Sequence, residues 1–152
     1  MVWKPRVTVA AVIARDDQLL MVEEQASDGG LVLNQPAGHL EPGESLTEAV
    51  VREVREETAW GFEPQALVGI YRWQRSTPEA TFLRFCFAGI VADHASDQPL
   101  DPDIRRTLWT APETLRRDPA RLRSPLVLRA VKDFLAGRRY PLDLLRDVVD
   151  AG

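Results

Sequence analysis

The chain reads as short apolar blocks separated by polar turns, with a few helical segments set between them. Val7 to Ala14 is apolar on both parities, the pattern of a strand buried on both faces. Asp16-Asp17 turns it into a second strand from Leu19 to Glu24. A loop over 25–30 holds Gly29-Gly30, and Leu31 to Asn34 follows as a short strand. Leu67 to Gln74 and Thr81 to Val91 are predicted to pair as a long hairpin, with Pro78 marking the connection. Asp93 to Pro102 is a polar loop and Ile104 to Thr110 a further strand. Pro112 to Leu115 makes a helical turn, and Pro125 to Ala136 a helix stopped by Gly137. With no repeat, low-complexity stretch or linker, this predicts one α+β domain over 1–152, a mixed sheet between helices.

One helix breaks its own pattern. Ser45 offers an N-cap oxygen, Glu48 stands three residues on to close a capping box, and helix formers continue to about residue 58. Leu46, Ala49, Val50 and Val54 form its inward stripe. Glu53, Glu56 and Glu57 fall in much the same arc, because residues three and four apart are helix neighbours. Three like charges therefore crowd the C-terminal end of a helix, whose dipole favours cations. A bound cation resolves both conflicts.

Oxygen ligands suit a hard divalent ion, so Mg²⁺ is the expected cofactor, with Mn²⁺ as the alternative. No His or Cys lies at ligand spacing around this segment, which argues against zinc or iron. The preceding loop, Gln35 to Glu44, contains Gly38, where the backbone can approach a ligand and lend its carbonyl. Glu44 and Arg52 read as partners that orient the ligands, Arg52 by forking onto a carboxylate. The competing reading is a solvated helix face of interleaved acids and arginines.

The run from Gly38 to Trp60 resembles the Nudix box: Gly, five residues, Glu, seven residues, then Arg-Glu-apolar-x-Glu-Glu-x-Gly-apolar. Every charged position matches. Ala59 stands where the pattern has Gly, and Gly61 is the candidate to take over the turn. The resemblance implies an α/β/α sandwich and hydrolysis of a phosphoanhydride in a nucleoside diphosphate linked to another group. Glu53, Glu56, Glu57 and Gly38 would then serve the metal, and Glu53, Arg52 and Glu44 the catalysis. Glu53 is the preferred general base; Asp101 or Asp103 is available as an acid from another loop, and each otherwise reads as a Pro-flanked loop acid in solvent. Further blocks at Lys4 to Ala10, Asn34 to Glu41, Phe82 to Phe85, Arg123 to Val127 and Arg139 to Leu142 are similar to one bacterial phosphatase branch of the family. That likeness implies orthophosphate release from nucleoside tri- and diphosphates, thiamine diphosphate and hydroxymethylpyrimidine diphosphate. The alternatives are a Nudix enzyme for oxidised nucleotides, dinucleoside polyphosphates or ADP-ribose, and a Nudix-fold nucleotide sensor without turnover.

On the substrate side, Trp73 is a candidate for stacking on a ring and otherwise a core residue. Arg84 shares the parity of Phe82 and Cys86, so its charge faces inward and needs phosphate, Glu23 or Glu24 as partner. His39 is a candidate phosphate contact or an ordinary loop histidine. Ser124 at a helix start is a candidate anion site or a plain N-cap.

Composition narrows the partners. A net charge of −4 and a pI near 5.2 argue against nucleic acid or a membrane surface, leaving a small-molecule nucleotide or organic diphosphate. The lone Cys86 excludes an internal disulfide and reads as strand interior. Met1 to Pro5 lacks signal-peptide character and no apolar run spans a bilayer, so the cytoplasm is expected. Any of Trp3, Trp60, Trp73 and Trp109 is a candidate interface residue, and monomer and homodimer are both open.

Overall fold

Two sheets divide the strand blocks between them in the computed structural model, which describes residues 1–152. In the first, β1 (Arg6–Val12) runs parallel to β7 (Thr81–Ala92) and antiparallel to β5 (Ala37–His39), and β7 pairs antiparallel with β6 (Gly61–Gln74). The order β5-β1-β7-β6 is the expected mixed sheet. In the second, β3 (Gln18–Gln25) pairs antiparallel with β2 (Ala14–Arg15), β4 (Leu31–Asn34) and β8 (Ile104–Thr110).

The doubly apolar reading of β1 has a direct cause. Val9 and Ala11 face α1 (Leu46–Thr58), which contributes Ala49, Val50 and Val54 to one core cluster with Phe87 and Leu67. Ala10 and Val12 face α3 (Pro125–Leu135), whose Val127, Ala130 and Val131 close a second cluster with Val68 and Cys86. The result is helix, sheet, helix. A short helix, α2 (Pro112–Arg117), lies before α3. No helix is long and apolar enough to cross a membrane.

Several boundaries differ from the sequence reading. The first strand ends at Val12, and Ala14–Arg15 joins the second sheet. Asp16 and Asp17, both with positive φ, then reverse the chain into β3. β6 begins at Gly61, six residues before the expected start at Leu67, and it accommodates Pro64 by register shifts between Pro64/Ala66 and Leu67/Gly69. A proline and bulges hide this half of the strand from a period-two pattern. Ala37–His39, expected as loop, pairs with β1 instead.

The end of α1 is settled by Ala59 itself. Its φ of 63° is left-handed, and its N–H caps the Arg55 carbonyl at 2.9 Å. That conformation costs a residue with a β-carbon about 1–2 kcal/mol. Burial of the methyl group returns roughly 0.8 kcal/mol, and the Ala59 carbonyl receives the Ala95 N–H at 2.9 Å. Gly61 does not take over the turn; it opens β6, where a β-carbon would come within 3.0 Å of the Ala92 carbonyl.

Gly89 lies opposite Pro64 on β7, and a methyl group there would overlap the Glu63 carbonyl and touch the Phe62 ring at 2.8 Å. Backbone cannot swing aside as a side chain can. Gly89→Ala is therefore expected to lower stability by about 2 kcal/mol. In a chain of this length that is a fall of roughly 4–8 °C in melting temperature, read by thermal unfolding.

Candidate active site

Helix α1 starts as its sequence dictates: Glu48 N–H donates to Ser45 Oγ at 3.1 Å, and Ser45 N–H donates to Glu48 Oε1 at 2.8 Å. The reciprocal pair fixes the helix start, and its phase then decides which acids are buried. Glu53 and Glu57 are 8% and 6% exposed, beside Val50 and Val54 on the packed face, whereas Glu56 is exposed. Burial drives the Glu57 carboxyl up to about 9, against the pull of the Ala37 N–H that donates to Oε1 at 2.8 Å. Burial also raises Glu53 to about 7, opposed by Arg52. Glu56 disfavours the charged form of Glu53, Glu53 that of Glu57, and Asp101 that of both.

Arg52 organises the solvent side. Its Nη2 and Nε donate to the two oxygens of Glu44 at 2.7 and 2.9 Å, the expected fork. Nη1 reaches Glu53 at 2.8 Å and Glu56 at 3.2 Å, and Nη2 also holds the His39 carbonyl at 3.0 Å. One guanidinium thus ties α1 to the β5 loop, and it lowers the Glu44 carboxyl below its ordinary range. Gly38 lies against Glu53 so closely that a β-carbon there would overlap the carboxyl group. A glycine is required at that position for contact, not for its backbone angles.

The polar loop 93–103 now has a structural role. Gln98 Nε2 and the backbone N–H groups of Asp101 and Ala95 donate to the carbonyls of Arg55, Glu56 and Ala59 at 2.8, 2.8 and 2.9 Å. These carbonyls lie in the last turn of α1, where the helix runs out of N–H donors, and that of Arg55 is shared with the Ala59 N–H. Capping them brings Asp101 near Glu53 and Glu57. Asp103 lies on the same loop, its N–H bonded to Asp101 Oδ1 at 3.1 Å.

Above β5 opens a cavity of about 380 Å³ between the two sheets. Gly38, His39, Trp73, Arg84 and Ser124, from four separate stretches of the chain, all line it. Trp73 stacks on Phe82 at a ring separation of 5.3 Å. Arg84 is 7% exposed; its Nε donates to Thr8 Oγ1 at 3.4 Å and its Nη1 has no partner. Neither Glu23 nor Glu24 neutralises it. Glu23 faces the other way, bonded to Arg106 at 3.2 Å and Arg121 at 2.6 Å. Glu24 receives Asn34 Nδ2 at 3.1 Å and pairs with Arg123 at 3.5 Å. Burial, with the nearby Arg123 charge, pulls the Arg84 guanidinium below its ordinary range, against the attraction of Glu24 and Glu57, neither of which is close enough for an ion pair. Ser124 is the N-cap of α3, its Oγ accepting the Leu126 N–H at 3.2 Å.

Thr8, Asn34 and Arg75 also line the cavity and were not singled out by the sequence. Thr8 lies inside an apolar strand, Asn34 ends one, and Arg75 opens a turn, so no local pattern sets them apart. Cys86 is fully buried, with its thiol pushed up to about 12, as a structural residue requires. Of the tryptophans, Trp3 is the exposed one.

The donors gathered at α1 are all oxygen, and two are buried carboxylates that resist ionisation without a nearby cation. That chemistry fits Mg²⁺ or Mn²⁺. The acids do not form a closed ligand cluster as they stand: Arg52 holds Glu53 and Glu56, and the Ala37 N–H holds Glu57.

Comparison with known proteins agrees with this geometry. The NUDIX domain family matches residues 4–131. Phosphatase NudJ of Escherichia coli (strain K12) is 40% identical over 146 residues, covering 95% of this chain and 93% of that protein, and its counterpart in Shigella sonnei (strain Ss046) matches equally. Among solved structures, a NUDIX hydrolase from Nitrosomonas europaea superposes with a TM-score of 0.92 at 48% identity, covering 95% of this chain and 98% of that one. The E. coli ORF135 protein superposes with a TM-score of 0.68 at 26% identity, covering 89% and 91%. The acid-bearing helix, its glycine loop and these relatives together make the chain a member of the NUDIX domain family, and a hydrolase of phosphorus-containing acid anhydrides.

Proposed function

We propose that this hydrolase is Mg²⁺-dependent and releases orthophosphate from nucleoside tri- and diphosphates and from thiamine-type diphosphates, including hydroxymethylpyrimidine diphosphate. One observation carries the reading: a buried pair of carboxylates, Glu53 and Glu57, meets the backbone of Ala37-Gly38 beside a cavity lined by arginine and tryptophan. The name of the E. coli relative, a phosphatase, supports it. Glu53, Glu56, Glu57 and the Gly38 carbonyl would hold the ion. When bound, Mg²⁺ offsets charge on phosphate oxygens and lowers the pKa of a coordinated water.

The chain's own groups supply the rest. Glu53 takes the proton from the attacking water, and Arg52, itself fixed by Glu44, orients the Glu53 carboxyl. Trp73 stacks on the ring of the substrate. Arg84, His39 and the Ser124 hydroxyl bind its phosphates. The cavity volume suits a single nucleotide or a comparable organic diphosphate.

Incubation with thiamine diphosphate, GDP and GTP, assaying orthophosphate and pyrophosphate separately, tests the reading. Orthophosphate is expected with Mg²⁺ and neither product with a chelator; turnover that survives chelation contradicts it. Glu57→Gln should lower Mg²⁺-dependent kcat at least about a hundredfold while the melting temperature holds, since the change removes a buried ionisable group and keeps its shape. Undiminished activity in that variant removes the assignment. Gly38→Ala should fold, because only the end of a flexible side chain must move, yet lose turnover by displacing the Glu53 carboxyl.

A further inference from the structure

The register of the mixed sheet sets three rows of side chains on the face that lines the cavity. Arg6, Phe82 and Trp73 pair across the strands as the outer row. His39, Thr8, Arg84 and Tyr71 form the middle row. Ala37, Ala10 and Cys86 form the inner row, where the Ala37 N–H donates to Glu57. Successive rows on one face are two residues apart, about 7 Å. Arg84 is thus one step from the stacked Trp73–Phe82 pair and one step from the row whose far end, Ala37 on β5 two strands across, touches Glu57. It is the buried cation of that row, it makes no ion pair, and its Nη1 lacks an acceptor. Thr8, bonded to Nε, fixes the guanidinium against the strand.

We infer that Arg84 sets which phosphorus is attacked: it grips the phosphate next to the terminal one, so that only the terminal phosphoryl group reaches the carboxylates of α1. The inference rests on the phosphohydrolase reading above and narrows it to substrates with a ring, a non-transferred phosphate and a terminal phosphate in that order. With GTP, the water oxygen forms a new bond to the γ-phosphorus and the β–γ bridging P–O bond breaks. Its electron pair stays on the β-phosphate, held by Arg84. One water proton passes to Glu53 and the other remains on orthophosphate, leaving GDP. A substrate that slips one phosphate deeper is cut between α and β instead, giving GMP and pyrophosphate.

Arg84 is a positioning residue in this account, and the ratio of the two products reads its role directly. Arg84→Met keeps the length of the side chain and removes an unpaired buried charge, so it is expected to melt at or above the wild-type temperature. Its kcat/KM for GDP should fall at least about tenfold, as for loss of a hydrogen bond to a charged group. From GTP it should release pyrophosphate that the wild type does not. Arg84→Lys should show less pyrophosphate than Arg84→Met, because the charge remains while the fork is lost; it serves as the test if the methionine variant does not fold. GDP and orthophosphate from GTP with no pyrophosphate in the folded variant overturn the inference, whatever the rate. Failure of the wild type to release orthophosphate would instead sink the functional reading on which it rests.

Discussion

Burying two neighbouring carboxylates near the end of one helix is the constraint around which this protein is built. Glu53 and Glu57 share the packed face of α1 with Val50 and Val54, so the helix cannot dock without drawing them out of water. Each neighbouring feature compensates part of that cost. Arg52 supplies a counter-charge to Glu53, the Ala37 N–H supplies a donor to Glu57, and Gly38 yields the space the Glu53 carboxyl occupies. The residual imbalance, two carboxyls held far above the usual acidic range, marks a place where packing has been subordinated to chemistry.

The surrounding architecture keeps that place rigid. The capping box fixes where α1 begins, Ala59 and the loop 93–103 fix where it ends, and β5 is held against β1 by register. On the far side of the cavity, Glu23 binds Arg106 of β8 and Arg121, two residues before Arg123. These two ion pairs, between a buried carboxylate and exposed arginines, tie the second sheet to the approach of α3, and their hydrogen bonds hold Glu23 below its ordinary range. The cavity lies between the two sheets, with Ala26, Ser27 and Asp28 of the β3–β4 loop at its edge, and strands supply most of the groups proposed to meet a phosphate chain.

Much of this was legible in the chain because it is encoded locally. A capping box, a doubly apolar strand and three glutamates at helical spacing are all readable within one turn or one strand, and α1, β3, β8 and α3 fell close to their expected bounds. The inward setting of Arg84 followed from strand parity. What stayed hidden depends on distant partners. Ala37–His39 is a strand only because β1 lies alongside it, and the first half of β6 is masked by Pro64 and two register shifts. Ala59 holds the left-handed cap because burial of its methyl group and a bond from Ala95 compensate, and neither is visible from residue 59 alone. The contribution of loop 93–103, and of Thr8 and Asn34 to the cavity wall, required the folded arrangement.

Proton counting during metal binding tests the central claim most directly. With Glu57 raised to about 9 and Glu53 to about 7, the metal-free protein carries protons on these groups at pH values where an ordinary glutamate has none. A cation that claims both oxygens must expel them. Titration calorimetry with Mg²⁺ near pH 8, in buffers of different ionisation enthalpy, is predicted to show net proton release, falling as the pH is raised past 9 and absent in Glu57→Gln. Mg²⁺ binding with no proton release, or release unchanged in that variant, would contradict the claim that these buried carboxyls receive the ion.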